Sequence, residues 1–153
     1  MEVHDESDSA ILRVLDHKPG VLAQVSRQIA QARINILAMT MTDSSEHGVL
    51  RLVAEDADRL RSALTELNLP TTETDVLLVD LPNRPGSLAD VCSQLAEAHI
   101  NISYAYCTTG ANGGKTKGIF KVADSKKATK LLTTPNNWHK DPTVRMRRPV
   151  RTR

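Results

Sequence analysis

The chain has 153 residues, 40% of them hydrophobic and 25% charged, the balance of a folded globular protein and not of a disordered or fibrous one. It holds no run of about 18 apolar residues, and Met1 to Asp8 is acidic where a secretory leader begins basic, so a soluble cytoplasmic protein with no membrane partner is expected. The net charge of +2 conceals an asymmetry: Arg145, Arg147, Arg148, Arg151 and Arg153 all lie in the last nine residues, and without these five the balance is −3, which makes nucleic acid an unlikely partner because a tail and not a folded face carries the excess.

In chain order, residues 1–8 read as a disordered acidic terminus. Ala10 to Leu15 is an apolar run of strand length, closed by polar residues and Pro19-Gly20. Leu22, Val25, Ile29 and Ala32 then recur at helical spacing. Asn35 to Met41 reads as a second strand, Asp43 to Gly48 as a hairpin connection, and Val49 to Ala54 as a third strand. A second helix carries Leu60, Leu64 and Leu67 on one face.

One extended segment follows, Thr72 to Leu81, and it has to serve both as the last strand of what precedes and as the first strand of what comes next. After Pro85-Gly86 come a helix with Leu88, Val91, Leu95 and Ala98, a strand over Asn101 to Tyr106, a glycine-rich hairpin over Gly110 to Lys115 and a strand over Gly118 to Val122. A helix with Ala128, Leu131 and Leu132 ends the regular pattern. Thr143 to Met146 is the best remaining candidate for a final strand.

The second half repeats the first. Lys18-Pro19-Gly20-Val21-Leu22-Ala23 aligns with Arg84-Pro85-Gly86-Ser87-Leu88-Ala89 at an offset of 66, and the match runs without a gap to Ile34-Asn35-Ile36 over Ile100-Asn101-Ile102. That period is too long for a solenoid unit, and duplication of a small domain fits it better. Right-handed βαβ crossovers then give two ferredoxin-like βαββαβ modules in tandem, an α+β fold with antiparallel sheets and helices on one face. The expected units are residues 9–74 and 75–146, with a basic tail over 147–153.

The candidate ligand site is the loop between first strand and first helix, taken with the start of the second strand. Gly lets a ligand approach the backbone, and the helix N-terminus presents unpaired amides to a carboxylate. Asn83 before the turn and Asn101 at the strand start can offer oxygens to an ammonium and amides to a carboxylate, which together describe an α-amino acid. Ordinary turn chemistry explains the same residues without a ligand.

The run Asn83-Arg84-Pro85-Gly86-Ser87-Leu88, followed by Asn101-Ile102, resembles the ACT regulatory domain family, and the tandem arrangement is similar to that of stand-alone ACT proteins without a catalytic domain. The resemblance covers about residues 10 to 132. It implies a non-catalytic amino-acid sensor, a homodimer, and a separate regulated enzyme or protein. It also implies a second, non-equivalent site around His17, Pro19, Gly20, Val21, Leu22 and Asn35, in which His17 stands where the second module has Asn83. Leu81 departs from the serine-binding members of the family, which carry His there, so serine is not implied. Tyr104 and Tyr106 belong to the same pattern and, two residues apart, should share a face.

Catalysis lacks a nucleophile, acid–base pair or metal site, and Gly113-Gly114-Lys115-Thr116 lacks the spacing of a phosphate loop; no cofactor or metal is expected, and Cys92 and Cys107 are expected to be reduced, Cys107 inert in the interior. RNA binding on the sheet lacks aromatic residues, leaving only weak contacts through the arginine tail. A protein–protein interaction module without a small ligand remains the alternative.

Overall fold

The computed structural model describes residues 2–3, 8–15, 18–43, 48–68, 71–108 and 116–133. Along them run β1 (Glu2–Val3), β2 (Asp8–Leu15), α1 (Val21–Gln31), β3 (Ile36–Asp43), β4 (Gly48–Ala54) and α2 (Ala57–Thr65). The second half comprises β5 (Thr71–Leu81), α3 (Ser87–Glu97), β6 (Ile102–Thr108), β7 (Thr116–Val122) and α4 (Ser125–Thr133). The strands join in one antiparallel sheet of order β3-β4-β2-β5-β7-β6, with β1 also on β5.

The long strand β5 belongs to both modules. Thr71 to Val76 pair with β2, and Leu77 to Leu81 pair with β7. One continuous segment therefore closes the first module and opens the second, as its sequence position requires.

Each helix buries the stripe its spacing sets out. Val25 and Ile29 of α1, Leu60 and Leu64 of α2, Val91 and Leu95 of α3, and Ala128 and Leu132 of α4 are all buried. Leu88 is the exception: expected on the core face, it is 45% exposed. Ser87, four residues before Val91, takes the inward place in the first turn, and Leu88 lies about 100° further round the helix. In both modules a cation on the second helix reaches the last turn of the first, Arg59 to the Ala32 carbonyl at 2.7 Å and Lys127 to the Ala98 carbonyl at 2.8 Å. A positive charge is favoured there, at the negative end of the helix dipole.

A feature that periodicity does not disclose is how the two modules face each other. The helices cover one side of the sheet, over cores centred on Leu50, Leu52 and Leu60 in module 1 and on Val79, Leu95 and Phe120 in module 2. On the bare side, Ala10, Ala38 and Val53 of module 1 cluster with Val76, Leu78 and Ile119 of module 2. The sheet bends about β5 so that the two bare faces cover one another, removing apolar surface that either module alone would leave in water. A bulge at the same point of β3 and β6, between Ile36 and Ala38 and between Ile102 and Tyr104, switches the facing side. Ile102 thus packs under the helices, while Tyr104 and Tyr106 join the bare-face cluster.

The chain start corrects one expectation. Instead of a disordered acidic stretch through residue 8, Glu2 and Val3 pair antiparallel with Asp80 and Val79 of β5, and Asp8 already belongs to β2. Val79 also pairs with Gly118 of β7, so β1 lies on the other edge, in the place a fourth strand of module 2 would take. Side-chain acidity does not prevent this, because pairing satisfies backbone groups of an otherwise open edge. The expected final strand, Thr143 to Met146, lies outside the described residues.

Candidate functional site

The two strand-to-helix loops are built alike. Gly20 and Gly86, with φ of 92° and 94°, are the N-caps of α1 and α3, and neither helix has a side-chain cap. The turn is held by the Val21 amide donating to the Lys18 carbonyl and the Ser87 amide to the Arg84 carbonyl, each at 3.4 Å. The ordinary helical pattern resumes with Gln24 donating to Gly20 and Asp90 to Gly86. Of the Gly86, Ser87 and Leu88 amides, which the sequence offers to a carboxylate, that of Ser87 is therefore bent back into the turn. The first-turn amides left over are those of Leu88 and Ala89, and of Leu22 and Ala23 in module 1.

The space above these loops is open. A Cβ at Gly86 would find only Arg84 Nη1, at 4.0 Å, and one at Gly20 would find nothing within 4 Å. Left-handed φ makes glycine the fitting residue at both positions. Arg84 folds over its own turn, donating to Asp90 at 3.2 Å and to the Pro85 carbonyl at 3.5 Å. Pro19, Asn83 and Pro85 are exposed, whereas Val21 and Leu22 are half-buried against the module 1 core. Ser87 is buried, and its hydroxyl has no partner among the described residues. His17 lies outside the described residues.

The two strand-start asparagines differ. Asn35 donates its side-chain amide to Glu55 at 2.9 Å. Ala123 stands in the place of Glu55 in module 2: it bonds the Asn101 backbone carbonyl as Glu55 bonds that of Asn35, but has no carboxylate to offer. Among the described residues, the exposed Asn101 side chain has no hydrogen-bond partner. Of the two, only Asn101 is unengaged.

The geometry separates residues that the sequence analysis brought together. Asn83 follows the end of β5, and Asn101 precedes the start of β6, with all of α3 between them. Eleven helical residues span about 16 Å, so the two lie at opposite ends of module 2. A free amino acid is too short to touch both. A βαβ unit enforces this, because the helix carries the chain back to the end where the first strand began.

Tyr104 and Tyr106 do share a face, with ring centroids 6.4 Å apart and planes 20° from parallel. That face is the seam between the modules, not the Pro-Gly loop. Arg51 of module 1 lies 4.6 Å over the Tyr104 ring. Burial pushes the Tyr106 hydroxyl up to about 12 and raises Tyr104 as well, with the Arg51 charge opposing both shifts. These are the chain's two tyrosines, so tyrosinate absorbance reads the seam alone. A raised folded-state value means that stability is fully present below the free-tyrosine value of 10.0 and is lost as pH climbs through about 12. The expected alkaline titration lies above pH 10 and rises together with unfolding. A simple titration centred at 10 would show that the rings are open to water.

Cys107 is exposed on β6, a correction to the expected interior thiol. Partial burial and the neighbouring Cys92 raise its pKa, which disfavours the thiolate a nucleophile needs. A groove of about 410 Å³ lies between α1 and α2, lined by Gln28, Gln31, Arg59, Ser62 and Glu66. Its Gln28 and Glu66 bond each other, and Arg59 bonds Ala32, so its principal polar groups already have partners. No helix among the described residues is long and apolar enough to cross a membrane.

Two ferredoxin-like modules sharing a strand, each with a glycine-capped strand-to-helix loop, define a tandem regulatory protein of the ACT type. Residues 9–139 match the model of the ACT domain pair, and the chain belongs to that family. Among solved structures it is similar to a protein of Bacteroides thetaiotaomicron, with 26% identity, a TM-score of 0.75, and 82% of this chain and 85% of that one covered. The ligand-free regulatory subunit of aspartate kinase from Thermus thermophilus shares the fold at 14% identity and a TM-score of 0.61, covering 86% of this chain and 95% of that one. The corresponding subunit from Thermus flavus does so at 19% identity and 0.53, with 86% and 94% covered. Comparison with curated proteins gives no match. The family places the chain among regulatory ligand-binding modules.

Proposed function

We propose that the chain is a non-catalytic sensor that binds a free amino acid at the loop of module 2, in a site completed by a second copy. The observation that carries the reading is the Asn101 side chain, exposed and unpaired where its module 1 counterpart is held by Glu55. The ligand carboxylate docks on the Leu88 and Ala89 amides at the head of α3, and Asn83 holds its ammonium. Asn101 of the same copy is out of reach, and β6 supplies the remedy. It ends the sheet order and presents an open edge. Antiparallel pairing of β6 with the same strand of a second copy brings that copy's strand start, and so its Asn101, beside the loop.

Binding across the copies favours one arrangement of the dimer over others, and that difference is the signal read by a separate regulated protein. The loop of module 1 is the weaker or vacant site, because its asparagine is already engaged. Exposed Met39 and Met41 on the other edge strand, β3, favour a surface for that regulated protein.

Thermal unfolding against each common amino acid tests the reading, since a ligand of the folded state raises the midpoint. At a hundredfold excess over Kd the gain is about 2.7 kcal/mol, or several degrees for a domain of this size. One or a few amino acids should give that shift, Asn101→Ala should abolish it, and Asn35→Ala should keep it. No shift with any amino acid would overturn the sensor and leave an interaction module.

A further inference from the structure

We propose that the seam between the two modules is a second binding site, for a small monocarboxylate held by Arg51, Tyr104 and Tyr106. It uses none of the residues of the loop site and lies on the side of the sheet away from the helices. Three buried polar atoms meet this seam without a hydrogen-bond partner among the described residues: Arg51 Nε, Tyr104 Oη and Tyr106 Oη. Buried polar groups in folded proteins are nearly always satisfied, so three neighbouring exceptions call for a common partner. Arg51 lies over the Tyr104 ring, and the two rings stack.

The chemistry of the atoms selects the ligand class. Arg51 Nε can only donate and belongs to a fully charged group, while each tyrosine hydroxyl can donate as well as accept. The other Arg51 bond, from Nη1 to Thr42 Oγ1 at 3.2 Å, brings no negative charge. Asp80, an acidic side chain of the same face, is engaged by Lys117 at 3.0 Å. A water molecule leaves the guanidinium charge uncompensated. A carboxylate has two oxygens able to accept all three and the charge to match Arg51. An ammonium on the same ligand would be repelled by the Arg51 guanidinium, which sets a simple monocarboxylate above an amino acid. Ala10 and Ala38 belong to the same buried cluster, whose close packing admits only a short ligand.

The test uses the full chain, with acetate as the probe, glycine as the amino-acid arm and chloride at equal ionic strength as the control. Thermal unfolding should show a saturable rise of the midpoint with acetate, less with glycine and none beyond the salt effect with chloride. Ring resonances of labelled tyrosine, two residues in the chain and both here, should move with acetate over the same concentrations. Tyr106→Phe keeps the ring and removes one donor, so it should weaken acetate binding at least tenfold, as Arg51→Met should. Asn101→Ala, which acts only at the loop, should leave it unchanged. Coincident acetate and chloride curves, or an acetate shift that survives Tyr106→Phe, would sink the proposal. If Arg51→Met does not fold, Tyr106→Phe decides alone.

Discussion

Phe120→Ala is expected to lower the unfolding free energy by about 3–5 kcal/mol, a large part of the roughly 5–15 kcal/mol of a whole domain. Phe120 is the chain's one phenylalanine and is fully buried at the centre of the module 2 core. Its register partners are Leu77 of β5 and Ala105 of β6. A Cβ added at Gly118 would lie 2.7 Å from the ring and 3.1 Å from Leu81, which shows how closely the ring covers that glycine. Removing the ring leaves a cavity that the paired strands cannot collapse to fill. Because β5 is common to both modules, the loss should appear as one earlier transition for the whole chain in urea, not as separate melting of module 2. A loss under about 1 kcal/mol would mean that the ring does not fill the core as described.

The second large effect concerns who completes the ligand site. With the loop of one copy facing Asn101 of the other, Asn83→Ala and Asn101→Ala should each abolish amino-acid binding when pure. After mixing and exchange of subunits, a two-fold dimer of one copy of each has one site with both changes and one with neither. Binding should therefore return from nothing to about one site in four, counted over all dimers, and calorimetry on the mixture reads that stoichiometry directly. If mixing restores nothing although exchange is shown by size, each site lies within a single copy. A complete site within one chain would contradict the separation across α3.

Much of the fold was legible because the pattern is doubled. A single Pro-Gly turn says little, but Pro19-Gly20 and Pro85-Gly86 at one offset fix the frame for every element between them. The continuity of β5 followed from counting strands, since a single segment had to fill two places. What stayed hidden depended on contacts between distant segments. Nothing in Glu2-Val3 marks it as a strand; its pairing arises from the edge of β5 left open over Val79 and Asp80. The packing of bare face on bare face was likewise silent in the periodicity, because Tyr104 and Tyr106 suit a strand whichever way it faces.

At the site, the glycine caps and the absence of side-chain caps follow from the residues themselves. The asymmetry of the asparagines does not. It depends on Glu55 against Ala123, far beyond each asparagine along the chain, where the third strand returns to that end of the module. The distance from Asn83 to Asn101 was implicit in the βαβ order, and the motif concealed it by printing the two close together along the chain.

The sharing of β5 also constrains how the proposed sensor would move. Proteins with paired domains commonly flex at a linker, where a few residues absorb the rotation. Here the boundary runs through the middle of an eleven-residue strand hydrogen-bonded on both sides, and the seam fastens the two halves a second time. Among the described residues, that boundary offers no linker to act as a hinge. In the proposed sensor this makes the chain a single stiff lever, and a displacement that reports a bound ligand would then occur where one copy rests against another.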